Sequence, residues 1–407
     1  MVKLFKTLQG SKKSKARLGE IRTGHGVIKT PAFVPVATKG TLKALSPNFI
    51  KDIGIQVAFV NTYHLVTHPG CTVIEKAGGI HKFANLNIPL VSDSGGFQVF
   101  SLAKEKIKHF QADVRGDEEP LLVKISDDGV KFRSTYDGKL IEFTPEKSIE
   151  YQRKIGADLL MAFDECIPYG STYDYSKRAT ERTHGWLLRC VGQVQSAKFK
   201  VQNENLKLKI NNSLKTENCK LKINQYLYGV IHGGTYEDLR KKSAEFVVSQ
   251  PVDGVAIGGV AVGESKKEMR DQVKWIADYL PKDRPVHLLG VGQFDDIIDL
   301  VKYGVDTFDC VEPTRLGRMG RIYKISNFKF QISNSEVDIL KTIYKNNLEP
   351  VDKNCRCYVC QNFTKAYLHH LFKQKEILGY TLATYHNLWV MERFFDKIRI
   401  LIANNQI

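Results

Sequence analysis

The sequence predicts an α/β fold, a (β/α)8 TIM barrel rather than a doubly wound sheet, and three observations lead there. Short apolar segments recur along the chain, most ending on a polar residue or a glycine; helical patterns stand between many of them; and no glycine-rich dinucleotide turn follows the first segment. Segments this short and this apolar suit strands buried on both faces of a parallel sheet.

In chain order the expected strands are 57–62, 89–93, 158–164, 227–232, 254–258, 286–290 and 307–311, about seven against the eight of a closed barrel. Helical patterns cover Pro145–Ile155, 176–194, 236–248, 266–280 and 294–303. A barrel builds its site at the C-terminal strand ends, so Asp93, Asp164, His232, Gly258, Gly259 and Asp309 are expected at one mouth. Two lysine-rich stretches interrupt the pattern. Residues 196–225, where Lys207-Leu-Lys-Ile210 echoes Lys220-Leu-Lys-Ile223, and the shorter 327–332 read as surface insertions, mobile or weakly hairpin-like. The expected division is a barrel domain over 1–340 and a helical metal-binding subdomain over 341–407, packed on the barrel.

With 407 residues and 43% apolar composition the chain can bury a large core. Met1 to Arg22 holds no apolar run of signal-peptide length, and no stretch is apolar enough to span a bilayer, so a soluble, cytoplasmic protein is expected. The net charge of +16 suggests a polyanionic partner. Much of it is local: residues 1–30 hold eight Lys/Arg against one Glu, and 198–222 seven Lys against two Glu. The body is only mildly basic.

Three of the eight cysteines lie together, Cys355, Cys357 and Cys360. Soft thiolates at this spacing, with His369, His370 and His386 downstream, suit a tetrahedral Cys3His zinc site with no open position, which organises a fold rather than reacting. Spacing alone leaves the fourth ligand open among these histidines. In a reducing compartment the cysteines at 71, 166, 190, 219 and 310 read as free thiols.

The chemistry-bearing motifs lie at strand ends. Asp93-Ser94-Gly95-Gly96-Phe97 places an acid before paired glycines that let backbone approach a bound group, although a capped turn would look alike. Asp309 sits in an apolar strand end, where a carboxylate needs a function or a partner such as Arg315 or Arg318. Two carboxylates at one mouth meet the need of glycosyl transfer with retention, one attacking the anomeric carbon and one handling protons. Asp164-Glu165 is another acid pair, able to accept from a purine edge. The glycine-rich segment 257–264 offers N–H groups to an oxo group, and Arg315, Arg318 and Arg321 suit phosphate or base contacts.

Together the motifs Asp93-Ser-Gly-Gly-Phe-Gln98, Phe163-Asp-Glu-Cys166, Gly258-Gly-Val-Ala-Val-Gly-Glu264, Gly290-Val-Gly292, Phe308-Asp-Cys-Val311 with Pro313-Thr-Arg315, and the three cysteines with His386-Asn387-Leu388 closely resemble the bacterial queuine tRNA-ribosyltransferases, the tRNA-guanine transglycosylases, from about Thr30 to Phe395. The resemblance implies a zinc-containing TIM barrel, a homodimeric pentosyltransferase that exchanges guanine at wobble position 34 of GUN-anticodon tRNAs (Asp, Asn, His, Tyr) for the queuosine precursor preQ1, 7-aminomethyl-7-deazaguanine. It implies Asp309 as nucleophile on ribose C1′, forming a covalent tRNA intermediate, and Asp93 as general acid/base. For the base it implies Asp93, Ser94, Gly95, Gly96, Phe97, Asp164, His232, Gly259 and Leu289. For tRNA it implies the segments Gly290, Val291, Gly292, Gln293, Phe294, Asp295, Asp296 and Thr314, Arg315, Leu316, Gly317, Arg318. Cys355, Cys357, Cys360 and His386 match the zinc ligands, leaving His369 and His370 as helix residues.

Three positions depart from the family pattern: His232 where a Gln is usual, Phe97 where Tyr is commoner, and Glu312 where an apolar residue is commoner. An imidazole can donate one hydrogen bond to a base carbonyl but lacks the paired geometry of an amide. Queuine in place of preQ1 as incoming base, or a retaining glycosidase built on Asp93 and Asp309, are the alternative readings.

Overall fold

The computed structural model describes residues 3–96, 122–134, 136–210, 225–324 and 336–407. Eight parallel strands form one sheet: β1 (Ala32–Pro35), β2 (Ala58–Val60), β3 (Leu90–Ser92), β4 (Leu159–Met161), β5 (Tyr226–Ile231), β6 (Gly254–Ile257), β7 (Val286–Leu288) and β8 (Thr307–Cys310). Each pairs with the next from β2 to β8, β8 pairs with β1 from Thr307 opposite Ala32 to Cys310 opposite Pro35, and a bridge between Val36 and Phe59 joins β1 to β2. Six strands fall within the expected segments, and a seventh, β5, starts one residue ahead of its own. The eighth, β1, is bounded by Pro31 and Pro35, and prolines in so short a run argue against a strand. Both stand at its margins, where little of the ladder is lost.

Alternate strand residues point inward and close the barrel interior: Val34, Phe59, Val91, Met161, Val230 and Ala256 are buried together. An antiparallel sheet, Phe5–Gly10, Arg17–Thr23 and Gly26–Thr30, packs Phe5, Ile21 and Ile28 against this interior at its N-terminal end. Buried Arg17 latches it there. Its Nε and Nη2 donate to Asp306 Oδ1 and Oδ2 at 2.9 and 2.6 Å, and its remaining donors reach the carbonyls of Pro281, Lys282 and Arg284. A second antiparallel sheet, Leu122–Ser126, Gly129–Arg133 and Leu140–Phe143, is inserted between β3 and β4.

The helix at Pro145–Ile155 has the expected bounds: the Thr144 hydroxyl accepts from Lys147 N at 3.2 Å, Pro145 occupies the first turn, and Gly156 ends it at φ 84°. The helix expected at 266–280 starts on a capping box between Ser265 and Glu268 but stops at Ile276. The one expected at 176–194 runs as Tyr173–Ile210, so the first half of the 196–225 stretch is helix rather than a mobile or hairpin-like insertion. Leu and Lys are good helix formers, and continuation of a packed helix outweighs a short alternation. The rest of that stretch up to 224, and 327–332, lie outside the described residues.

Beyond β8 the chain forms a short helix Glu312–Arg318, a strand pair Arg321–Tyr323 with Glu336–Asp338, and helices Tyr358–Asn362, Lys365–Lys373 and Ile377–Ala403. The last covers the outside of β1 and β8: the Phe395 ring lies 6.1 Å from Phe33 and 5.9 Å from Phe308. Its Arg399 Nη1 donates to Pro31 O at 2.6 Å. Among the described residues no helix is long and apolar enough to cross a membrane.

Candidate active site at the barrel mouth

Asp309 closes β8 and is only 9% exposed. Its Oδ1 accepts from Gly290 N at 3.0 Å and lies 3.1 Å from His287 Nε2. A carboxylate only accepts, so Nε2 carries the proton, and the Thr307 hydroxyl, 2.9 Å from Nδ1, donates to the other nitrogen. One oxygen is thereby fixed by side chain and backbone. Among the described residues no hydrogen bond reaches Oδ2.

Asp93 follows β3. The residues after β2 hold it: Thr62 N donates to Oδ1 at 2.6 Å, Asn61 Nδ2 donates to Oδ2, and the Thr62 hydroxyl donates to the Asp93 carbonyl at 2.6 Å. Asn61 is itself fixed, because its Oδ1 caps the helix Thr62–Thr67 by accepting from His64 N at 3.0 Å. Burial pushes the Asp93 carboxyl up to about 7; the Thr62 N–H pulls the other way, and the charge of Asp164 adds to the rise. A carboxyl in that range can give and take a proton near neutrality.

Asp164 lies beyond β4, with both oxygens engaged: Oδ1 accepts from Ser94 Oγ at 2.7 Å, and Oδ2 is 2.8 Å from His232 Nε2. His232 therefore carries its proton on Nε2. Among the described residues its Nδ1 is buried without a hydrogen-bond partner, and it would stand 2.9 Å from a Cβ at Gly259. The ring faces Asp164 and the glycine turn behind it. Gly96 is required by close approach, since a Cβ there would lie 2.5 Å from Asp164 O. Gly259, at φ 62°, turns the chain after β6 in the left-handed region. Leu289 is half-buried at the edge of the barrel interior. Phe97 lies outside the described residues.

Several residues that build this mouth were not singled out by the sequence. Arg240, fully buried on the helix Glu237–Ser249, donates from Nε to Gly234 O (2.7 Å), from Nη1 to Gly258 O (3.1 Å) and from Nη2 to Gly259 O (2.7 Å), fixing two turns of the mouth. Burial lowers its guanidinium to about 10, still charged at neutrality. Gln152 joins β3 to β4 by accepting from Ser92 Oγ and Met161 N and donating to Met161 O. His287, Asn61 and Thr62 complete the group. A polar residue within or at the end of an apolar strand was the available signal for these three; nothing in sequence distinguishes Arg240 from Lys241 and Lys242 beside it.

The two segments matched to tRNA contact differ in exposure. In the first, Gly290 and Gln293 are exposed, Val291 and Gly292 are buried and Phe294 is half-buried. Its Asp295 and Asp296 pair with Lys266 and Arg270 of the neighbouring helix, at 2.6 to 3.5 Å. In the second, Arg315 is exposed and Arg318 half-buried, while Thr314, Leu316 and Gly317 pack inward. Glu312 stands near Gln293, and burial, then the charge of Glu336, raises its carboxyl.

The thiols of Cys355, Cys357 and Cys360 lie 3.9, 3.3 and 3.4 Å from His386 Nδ1, all four residues buried. A tetrahedron with about 2.3 Å metal–sulfur and 2.0–2.1 Å metal–nitrogen bonds has S···N edges of about 3.6 Å, so this group fits a metal ion such as zinc. His386 Nε2 donates to Tyr323 O at 2.8 Å, which leaves Nδ1 as the ligand atom. The adjacent Asn387 accepts from Tyr323 N and donates to Pro313 O and Arg321 O, tying the cysteine group to the loop after β8. His369 instead bonds Ile339 O at 2.7 Å, and neither it nor His370 joins the cluster. At the other end of the barrel His25 and His81 flank Asp158, but their rings stack 3.5 Å apart at 12°, so a shared ion would lie far out of each ring plane. That group is a hydrogen-bonded staple.

Residues 12–407 match the family model described as Queuine tRNA-ribosyltransferase. Curated proteins of that name are similar over almost the whole chain: one from Caldanaerobacter subterraneus subsp. tengcongensis is 41% identical over 403 residues, covering 99% of this chain and 94% of its own. One from Thermoanaerobacter pseudethanolicus is 40% identical over the same coverage, and one from Psychrobacter sp. is 40% identical over 99% of this chain and 93% of its own.

Proposed function

Since the chain belongs to the queuine tRNA-ribosyltransferase family, the tRNA-guanine transglycosylases, and is a pentosyltransferase of queuosine biosynthesis, we propose that it exchanges guanine at wobble position 34 of GUN-anticodon tRNAs for preQ1. In this reading Asp309 Oδ2 attacks ribose C1′ while the bond from C1′ to guanine breaks, leaving the tRNA esterified to Asp309. Asp93 gives its proton to the departing guanine. It then takes a proton from the incoming base, whose nitrogen attacks C1′ and releases Asp309. One N-glycosidic bond replaces another, so no external energy source is needed.

The observation that carries this reading is the contrast between the two carboxylates. Asp309 has one oxygen fixed by His287 and Gly290 and one that no hydrogen bond reaches among the described residues, while Asp93 has a carboxyl raised to about 7. Asp164 accepts from the N–H edge of the purine, the Gly259 N–H serves its carbonyl, Phe97 and Leu289 sandwich the ring, and Ser94 to Gly96 form the floor. His232, with Nε2–H given to Asp164, acts on the base through that carboxylate. Gly290 to Asp296 and Thr314 to Arg318 take the anticodon loop. Cys355, Cys357, Cys360 and His386 hold one structural Zn2+, which leaves no open coordination position for chemistry. The exposed apolar side chains Ile343, Leu348 and Tyr367 support a homodimer, and tRNA as substrate supports a cytoplasmic location.

The test is incubation of the zinc-loaded protein with radiolabelled guanine and unmodified tRNA-Tyr or tRNA-Asp. Guanine should enter the tRNA, and Asp309→Ala should lose the covalent adduct on a denaturing gel. No incorporation by folded protein refutes the exchange; a surviving adduct assigns the nucleophile elsewhere. Competition between preQ1 and queuine decides the incoming base.

A further inference from the structure

β7 and β8 pair in parallel with His287 opposite Thr307, and Asp309 lies two residues beyond Thr307. Residues two apart on a strand share a face, so Thr307 and Asp309 both point into the barrel, and the imidazole of His287 reaches across to each. Its Nε2 is 3.1 Å from Asp309 Oδ1 and its Nδ1 is 2.9 Å from Thr307 Oγ1. The pair is sealed from solvent: His287 is 2% exposed and Thr307 4%, and the Phe59 ring lies 5.9 Å from the imidazole, 25° from parallel. Beneath them the barrel interior leaves a cavity of about 10 Å³, scarcely the room of one water and walled chiefly by apolar side chains, so the threonine rather than solvent serves Nδ1.

Thr307 thereby sets the tautomer. With its hydroxyl donating to Nδ1, the neutral ring keeps its one proton on Nε2, aimed at Asp309. Oδ1 then receives two donors, the imidazole and the Gly290 N–H. Both bond most strongly to a fully charged carboxylate. Once Oδ2 is bonded to ribose C1′, Oδ1 becomes the carbonyl oxygen of a neutral ester and the same hydrogen bonds weaken. They therefore favour the free carboxylate over the ester. In an oxocarbenium-like transition state the carboxylate still carries most of its charge, so attack leaves these bonds nearly unchanged and they regain their strength as Asp309 departs.

We propose that Thr307 and His287 form a dyad that drives release of the tRNA from Asp309. The inference rests on the transglycosylase reading and gives the dyad the second half of that reaction. There a ring nitrogen of the incoming base attacks C1′, the bond from C1′ to Oδ2 breaks, its electron pair returns to the Asp309 carboxylate, and the proton of the base passes to Asp93. His287 donates to the oxygen that shares the returning charge. Thr307 acts only through the ring and is a positioning residue. Without the His287 donor the free carboxylate loses one charged hydrogen bond, which shifts the ratio of adduct to free enzyme toward the adduct by about 10- to 100-fold at fixed guanine. Without the Thr307 hydroxyl the ring proton is no longer directed, and the shift is about 2- to 10-fold.

The experiment incubates the full-length zinc-loaded protein with unmodified tRNA-Tyr over a series of guanine concentrations and quantifies the adduct on a denaturing gel, for the wild type, His287→Leu, Thr307→Val and Thr307→Ser. Adduct falls as guanine rises. The guanine concentration that halves it should increase about 10- to 100-fold in His287→Leu and about 2- to 10-fold in Thr307→Val, and Thr307→Ser should restore the wild-type value. Release of tRNA by a guanine chase should slow by the same factors. A folding defect lowers the amount of adduct, so it cannot imitate a gain. A wild-type guanine dependence in Thr307→Val overturns the dyad, as does adduct that is lost rather than gained in folded His287→Leu. If the wild type itself forms no adduct, the transglycosylase reading fails and the dyad with it; adduct in the wild type with unaltered guanine dependence in the variants refutes the dyad alone.

Discussion

Exchanging Asp93 for Asn tests the raised carboxyl directly. The group titrates near 7 when folded and near 3.8 when exposed. The folded pKa is the higher one, so the folded state holds the proton more tightly. The stability contributed by Asp93 is therefore complete below about 3.8, declines as pH rises and is lost once pH passes about 7. At 1.36 kcal/mol per unit the whole loss is about 4 kcal/mol, of which linkage places about 2.6 kcal/mol between pH 5 and pH 8. Asp93→Asn cannot titrate. Its own defect, a second amide set against the Asn61 amide, does not vary with pH and cancels when each protein is compared with itself. For 407 residues unfolding with about 2.1 cal/mol/K each, 2.6 kcal/mol corresponds to about 3 °C. The wild-type Tm, followed by scanning fluorimetry, should therefore fall about 3 °C further than that of Asp93→Asn between pH 5 and pH 8. Over pH 6 to 8 the protonated fraction of Asp93 drops about tenfold, and the rate of adduct formation should drop with it. Parallel Tm curves would refute the raised carboxyl, and a flat adduct rate its role as acid.

Further outcomes follow from the surrounding residues. Arg240→Met removes three charged hydrogen bonds from buried carbonyls and should cost about 3–5 kcal/mol in chemical denaturation, raising the KM for guanine as the Gly258–Gly259 turn loosens; a loss under 1 kcal/mol would show that water replaces the guanidinium. His232→Gln keeps a donor toward Asp164 and should leave the KM for guanine within about twofold, whereas His232→Ala should raise it about tenfold, the equivalent of one charged hydrogen bond. Equal effects of both changes would remove His232 from the positioning of Asp164. His386→Ala should lower zinc content measured by plasma emission and, through Asn387, weaken tRNA use more than guanine binding. Full zinc content in that variant would place the metal elsewhere.

Which parts of this architecture could be read from the chain depends on how local their causes are. Strands β2 to β8 were legible because a strand buried on both faces must be continuously apolar, and Asp93, Asp164 and Asp309 were legible as acids ending such runs. The cysteine group announced itself by spacing, although only the fold brings His386 to Cys355, Cys357 and Cys360 while turning His369 to Ile339 O. β1 was hidden by its flanking prolines. The N-terminal sheet was masked by lysines on its outer face, although Phe5, Ile21 and Ile28 alternate inward. Arg240 was beyond reach, because its burial is set by three carbonyls on two turns distant in sequence, not by any periodicity of its own helix.

The helix Ile377–Ala403 also sets a timetable for the making of the protein. β1 is among the first barrel elements to leave the ribosome, yet the side chain that binds Pro31 O belongs to Arg399, 368 residues later. At 5–20 residues per second, that interval lasts roughly 20–70 s. Until β8 is made the edge of β1 that pairs with it is open, and until the interval nears its end Phe33 lacks the ring of Phe395 against which it packs. Completion of the barrel is thus deferred until β8 has been made, and its cover until the helix Ile377–Ala403 follows, so the nascent chain carries an unpaired strand edge through much of its synthesis, the stage at which a chaperone would find its binding surface.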